Sequence, residues 1–290
     1  MKLKFLIPIV SLFFVLTAMK GDKQAYRFFN TDGKTVKYKA VLKEVLDADI
    51  VFFGELHNNP ISHWFELEIT KDLYNVKKEN LVLGAEMFES DNQLLLDEYF
   101  AGLIKKKSFE DEARLWSNYK TDYRPLVEFA KENKLPFIAT NIPRRYASLV
   151  NKKGFEGLDS LSNEAKKYIA PLPVNYDPEV GCYKSMIEMM GGMGGHVTAN
   201  IPKAQAIKDA TMAHFILENW QRRKLFIHYN GSYHSDNYEG IVWWIKQAKP
   251  DLDIITITTV EQDTITDLSE ESFGLADFII AVPTDMTKTY

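Results

Sequence analysis

The chain has 290 residues, 46% of them hydrophobic and 13% aromatic, with a net charge of -5 from 35 basic and 40 acidic side chains. That composition excludes a disordered, coiled-coil or collagen-like chain, and its mild acidity argues against a dedicated nucleic-acid binder, which shows a basic face. The lone Cys182 cannot form an intramolecular disulfide, and at roughly 100–200 residues per domain the length allows one large domain or two small ones.

In chain order, Lys2 and Lys4 precede an apolar run from Phe5 to Ala18. The run is shorter than the roughly 20 residues of a spanning helix and is interrupted by Pro8 and Ser11, which is the pattern of a secretory signal. Residues 1–20 are therefore expected to be removed on export, leaving 21–290 as a single α/β domain in the periplasm or another extracytoplasmic space. Leu16-Thr17-Ala18 would suit a bacterial lipoprotein signal, but Met19 stands where the lipidated cysteine belongs, so no lipid anchor is expected. Loss of Lys2, Lys4 and Lys20 takes the net charge from -5 to -8.

Phe28 to Val36 carries an Asp32-Gly33 turn between strand-like residues and predicts a small hairpin. Short apolar runs at Ile50–Phe53, Leu81–Ala85, Pro136–Ala139, Leu225–Ile227, Ile254–Thr258 and Phe278–Val282 are each long enough for one strand. Helical patterns separate them, the clearest at Ile61–Glu79, where Ile61, Phe65, Ile69, Leu73 and Val76 recur at steps of four and three. Strands apolar along their whole length imply a sheet covered on both faces, so the expected fold is α/β with a mainly parallel mixed sheet flanked by helices. Residues 144–222 contain no convincing strand and read as a helical cap or insertion. That stretch includes a proline-rich segment (Pro171 to Pro178) and a Met/Gly/His loop (Met189 to His196).

Open α/β sheets bind ligands outside the carboxyl ends of their strands. Four of the apolar runs lead into ionisable groups there: Gly54-Glu55-Leu56-His57, Glu86 with Glu89 beyond it, Asn141 to Arg145, and Asn230-Gly231-Ser232-Tyr233-His234. Glu55, His57, Glu86, Arg144 and His234 are thus candidate catalytic residues lining one cleft. A carboxylate and an imidazole two residues apart can hold a metal, or the carboxylate can orient the imidazole as a base. His57 and His234, on opposite walls, are the candidate metal ligands. Glu86, ending a buried strand, needs a counter-charge such as Arg144 or a metal. His63 is either a site residue or an exposed first-turn histidine. His228 reads as a packed histidine, and Asp209 falls at the edge of a small-residue helix face.

Together these segments resemble the ChaN-like haem-binding uptake proteins of the Tiki/TraB/erythromycin-esterase superfamily. The resemblance is carried by Gly54-Glu55-Leu56-His57 with Pro60 and His63, Ala85-Glu86-Met87-Phe88-Glu89 with Gln93, and Tyr123-Arg124-Pro125-Leu126 leading to Asn141-Ile142-Pro143-Arg144. It continues through Ala204-Gln205, Asp209 to Ala213, and Asn230 to His234 with Gly240-Ile241. The resemblance implies a mixed α/β core with a helical cap and an exported protein associated with bacterial haem or iron acquisition. Haem-contacting candidates are His57, His63, Asn141, Asp209, Tyr233 and His234 in the core, with Met193 and His196 on the loop. Haem or another small molecule is the expected partner, seated in one chain or between two copies in a homodimer. A divalent metal is the other expected cofactor, because related branches of the superfamily are hydrolases. The alternative to haem binding is therefore a metal-assisted or Glu/His-dependent hydrolase, in which Arg144 stabilises developing negative charge.

Overall fold

A computed structural model describes residues 23–191 and 200–290; the expected export signal at 1–20, and Met193 and His196, lie outside the described residues. The elements in chain order are β1 (Arg27–Asn30), α1 (Tyr38–Asp47), β2 (Ile50–Glu55), α2 (Pro60–Lys77), β3 (Leu81–Glu89), α3 (Gln93–Phe100), α4 (Lys106–Glu112), α5 (Arg124–Glu132) and β4 (Phe137–Asn141). They continue with α6 (Arg144–Lys153), α7 (Asn163–Lys166), α8 (Gly181–Gly191), α9 (Ile201–Asn219), β5 (Leu225–Gly231), α10 (Ile241–Ala248), β6 (Ile254–Gln262) and β7 (Phe278–Pro283). Every apolar run read as a strand forms one. Five of them, β2, β3, β4, β5 and β6, extend past the apolar residues into the polar ones that follow.

The strands make one seven-stranded sheet in the order β1-β7-β6-β2-β5-β3-β4. All neighbours are parallel except β1, which pairs antiparallel with β7 at one edge. The expected hairpin at residues 28–36 is a turn closed by a single bridge between Phe29 and Thr35; β1 takes its ladder from β7 instead.

Side chains alternate across a strand, and here the alternation assigns each residue to one of two apolar layers. Val51, Phe53, Leu81, Leu83, Leu225 and Ile227 pack with Val41 and Val45 of α1, Phe65, Ile69 and Leu73 of α2, and residues of α3 to α5. Ile50, Phe52, Val82 and Phe226 pack on the other face with Met212 and Ile216 of α9 and Ile241 and Ile245 of α10. Val76, placed on the apolar stripe of α2 by its spacing, is 62% exposed, one residue before the helix ends.

Within 144–222 the described residues contain no strand, but not all of the stretch is cap. α9 lies along β4 and is one of the helices covering the sheet. α6 and the segment after it pack onto α9 through Ala147, Val150, Leu158 and Ile207.

Gly84 in the centre of β3 permits the close packing of the second layer, since a Cβ there would stand 2.7 Å from the Phe226 ring. Gly84→Ala is therefore expected to destabilise the fold by about 1–3 kcal/mol through overpacking. Urea unfolding should show a lower midpoint at unchanged slope, and an unaltered midpoint would mean that Phe226 has room to yield.

Candidate functional site

The same alternation that sorts the core also sorts the polar strand ends. Glu55 continues the row of Val51 and Phe53 and faces α2; Glu86 continues the row of Val82 and Gly84 and faces α9. Both carboxylates are nearly sealed from solvent, and each has recruited a histidine.

The Glu55 group begins at the start of α2. Asn59 caps that helix, its Oδ1 accepting from the N–H groups of Ile61 and Ser62, and Pro60 occupies the first turn. His63 and Glu66, one turn apart, consequently point together toward the end of β2. His63 is buried, so the reading of it as an exposed first-turn residue does not hold. Glu55 Oε1 accepts from Tyr123 Oη at 2.6 Å and pairs with His57 Nδ1 at 2.6 Å. His63 Nδ1 lies 3.3 Å from Glu55 Oε2 and 3.2 Å from Glu66 Oε2. Its Nε2 donates to the His57 carbonyl at 3.0 Å, with Asp122 Oδ2 3.6 Å away. Asp122 and Tyr123 come from a wide-wound turn at Tyr119–Tyr123, a backbone form that often marks functional positions.

Burial disfavours the charged form of Glu55, yet hydrogen bonds with His57 and His63 hold its pKa far below the carboxylate range. Burial and the neighbouring Glu55 charge push Glu66 the other way, well above that range. Burial would also lower His63, but its bonds to Glu55 and Glu66 raise it to about 11.

The Glu86 group is built on the opposite face. Glu86 Oε2 accepts the Gly231 N–H at 2.8 Å, and its Oε1 lies 3.2 Å from His234 Nε2. His234 Nδ1 pairs closely with Asp209 Oδ1. Asp209 Oδ2 accepts from Tyr183 Oη at 2.8 Å, and that hydroxyl accepts from Trp244 Nε1 at 2.9 Å. Glu86 was expected to find Arg144 or a metal; its counter-charge is His234. Burial alone would lower the His234 pKa, but Glu86 and Asp209 raise it to about 10. For Glu86, burial opposes ionisation, while His234, His57 and the Gly231 N–H bring it down to about 2.

The two groups meet at Gly231, the last residue of the intervening β5. A Cβ there would lie 2.8 Å from His57 Nε2 and 3.6 Å from Glu86 Oε2. His57 is the member that reaches solvent: its side chain is 40% exposed and packs edge-on against Trp116, ring centroids 4.9 Å apart. Its pKa is raised, burial being outweighed by Glu55 and Glu86.

Beside His57 opens a cleft of about 710 Å³ lined by Glu89, Arg114, Leu115, Trp116, Arg144, Arg145 and Tyr290, among others. Arg114 pairs with Glu89 and Asp91, and Arg145 with Asp91. Among the described residues Arg144 has no acidic partner, and it also borders a smaller groove that runs to Gln205, whose side-chain nitrogen lies 3.0 Å from His234 Nδ1.

Of the residues singled out in the sequence, Glu55, His57, His63, Glu86, Asp209 and His234 come together, whereas Arg144 stands in the adjoining cleft. Asn141 donates to the Glu86 carbonyl at 3.0 Å and has a buried Oδ1 without a partner. Tyr233 is turned outward, its hydroxyl donating to the Cys182 carbonyl at 2.6 Å. His228 is buried, as its position in the strand implied, and burial lowers its pKa to about 4. His57 and His234 were paired as metal ligands. Among the described residues, the group whose ligand atoms gather, all within 4.8 Å of one another, is Glu55, His63 and Glu66. Glu66, Tyr123, Asp122, Tyr183 and Gln205 were not read as site residues. Glu66 had a signal, since it follows His63 at helical spacing, but its row was hidden beside the stronger apolar stripe.

A model of the family described as "Haem-binding uptake, Tiki superfamily, ChaN" matches residues 41–245. The solved structure of cofacial heme binding to ChaN of Campylobacter jejuni is similar in fold, with a TM-score of 0.66 at 19% identity, covering 88% of this chain and 96% of that one. A Bacillus cereus protein is similar at a TM-score of 0.50 and 11% identity, covering 84% and 90%. Among curated proteins, RETICULATA-RELATED 5 of Arabidopsis thaliana is 28% identical over 139 residues, 46% of this chain; the match spans only 19% of that protein's length.

Folded-state shifts of this kind predict a pH profile. The raised His234 pKa contributes stability that is complete below pH 6.5 and is lost as pH rises toward 10; the lowered Glu86 pKa contributes stability that is complete above pH 4.5 and is lost as pH falls toward 2. Between pH 7 and 9, His234→Asn should reduce the pH-dependent loss of unfolding free energy by up to about 1.4 kcal/mol per pH unit. Urea midpoints across that range test this, and equal slopes for parent and variant would show that His234 is not charged in the fold.

Proposed function

The chain belongs to the haem-binding uptake, ChaN family of the Tiki superfamily, and from that membership we propose that it binds haem or a related porphyrin in the bacterial cell envelope. The observation that carries this reading is the cleft beside His57, lined both by Trp116 and by Arg144, which has no acidic partner among the described residues. The residues present fit the ligand class. A volume of about 710 Å³ lies in the range of small-molecule sites. Trp116 and Leu115 offer apolar surface to a macrocycle, and Arg144 offers a charge-assisted pair to a propionate. Tyr290 lines the cleft and His57 packs against its Trp116, and these are oxygen and nitrogen donors of the kinds that ligate haem iron.

Under this reading the protein is exported and unlipidated, takes part in haem or iron acquisition, and holds the ligand within one chain or between two copies. Among the described residues no helix is long and apolar enough to cross a membrane.

A second reading rests on the two carboxylate–histidine pairs. His57 has Nδ1 fixed by a buried carboxylate that Tyr123 also holds, while its Nε2 faces the Gly231 edge beside Glu86. That is the arrangement of an oriented general base. His234 is less suited, because both of its ring nitrogens are already paired with carboxylates.

Titration of the protein with haem, followed by the Soret band, separates the readings. The parent should show saturable binding, and Arg144→Ala should weaken it about tenfold, or ~1.4 kcal/mol. No Soret change with the parent, together with ester hydrolysis that disappears in His57→Ala, would put the hydrolase in place of the haem binder.

A further inference from the structure

We propose that Glu55, His63 and Glu66 form a buried site for a divalent transition-metal ion of the zinc type, separate from the haem cleft. Three features of the cluster point there. First, two carboxylate oxygens inside it are buried and under-satisfied: Glu66 Oε1 has no hydrogen-bond partner, and Glu55 Oε2 has only the His63 Nδ1 contact at 3.3 Å, which falls outside hydrogen-bond geometry. Orphaned buried oxygens are costly, and these two residues are 1% and 0% exposed.

Second, the histidine is set up as a ligand. A carbonyl oxygen can only accept, so the 3.0 Å contact to the His57 carbonyl places the proton of His63 on Nε2. When a cation displaces the Nδ1 proton that the two glutamates hold in the metal-free chain, the lone pair of that nitrogen faces them. A backbone carbonyl on the far nitrogen, with Asp122 behind it, is the usual way a protein fixes the tautomer and orientation of a metal-binding histidine.

Third, the spacing agrees. Donors about 2.0–2.1 Å from a tetrahedral ion lie roughly 3.3–3.4 Å from one another. His63 Nδ1 stands 3.3 Å from Glu55 Oε2 and 3.2 Å from Glu66 Oε2. Two carboxylates and a neutral imidazole carry a charge that one divalent cation cancels. One nitrogen and two oxygens in a dry pocket favour zinc over magnesium, which keeps several waters and octahedral geometry. Tyr123 and His57 occupy the other oxygen of Glu55, leaving Oε2 for the ion.

The test uses the whole chain, stripped with chelator and titrated with Zn²⁺ by calorimetry, with bound metal counted by elemental analysis. One zinc per chain is expected, with a higher melting temperature in its presence. Glu66→Gln, an isosteric change, should weaken binding at least about thirtyfold. X-ray absorption at the zinc edge of the loaded parent, which depends on no variant, should show one imidazole and the rest oxygen. An empty parent at micromolar zinc, a Glu66→Gln protein that binds like the parent, or an absorption spectrum with two imidazoles, which would move the ion to His57 and His234, each overturns the proposal. A chain that binds haem but no zinc defeats this inference alone and leaves the haem reading standing.

Discussion

Two ionised carboxylates buried at the carboxyl edge of a parallel sheet are the constraint to which the rest of this site answers. An unpaired charge in that position would cost several kcal/mol, and Glu55 and Glu86 flank β5 with only Gly231 between them. Each is compensated by cationic histidines and by hydrogen bonds from fixed donors: Tyr123 to Glu55, and the Gly231 N–H to Glu86. Helices α2 and α9 deliver the remaining partners, Glu66 from one face and Asp209 from the other. The apolar layers on which those helices lie therefore also set the positions of the charged groups.

Much of this was legible in the sequence for a simple reason. A buried parallel strand announces itself as a continuous apolar run, and ligand chemistry concentrates where such runs stop. Glu55, His57, Glu86 and His234 could be found in that way. What could not be found is which face each carboxylate takes, since that depends on the strand continuing through the polar residues with its alternation intact. Ending β2 at Phe53 and β3 at Ala85 hid the separation of Glu55 and Glu86 onto opposite faces. The pairing of Glu86 with His234 in place of Arg144 follows from it, because His234 and Asp209 lie on the face that Glu86 looks toward. Glu66 was missed for a related reason. On α2 the row His63, Glu66 and Thr70 is as buried as the apolar stripe beside it, and a reading that equates burial with apolarity passes over it.

The family and the geometry bear on function at different depths. Family membership speaks to the ligand, while the residues form a charge-compensated pair of carboxylate–histidine groups that hydrolases and binding proteins can both use. The division between closed and open parts helps to relate the two. His63, Glu66, Asp209 and His234 are sealed, with nearly all of their polar atoms engaged. His57 and the arginine-lined cleft are what a ligand can reach. A molecule arriving there meets one imidazole whose orientation is fixed from behind, an indole standing edge-on to it, and Arg144, whose charge no acidic side chain among the described residues has taken up.

The economy of the arrangement lies in Gly231. A side chain at that position would collide with the His57 ring and approach Glu86, so the absence of a Cβ is what allows the two charged groups to come within electrostatic reach at one edge. That proximity links the histidines: Glu86 raises the proton affinity of both His57 and His234, and the charge of His234 opposes protonation of His57. A change of charge at the exposed His57 is therefore felt at Glu86, which faces both imidazoles. Coupling of this kind requires no movement of the backbone, only the short distances that a glycine at the end of β5 permits.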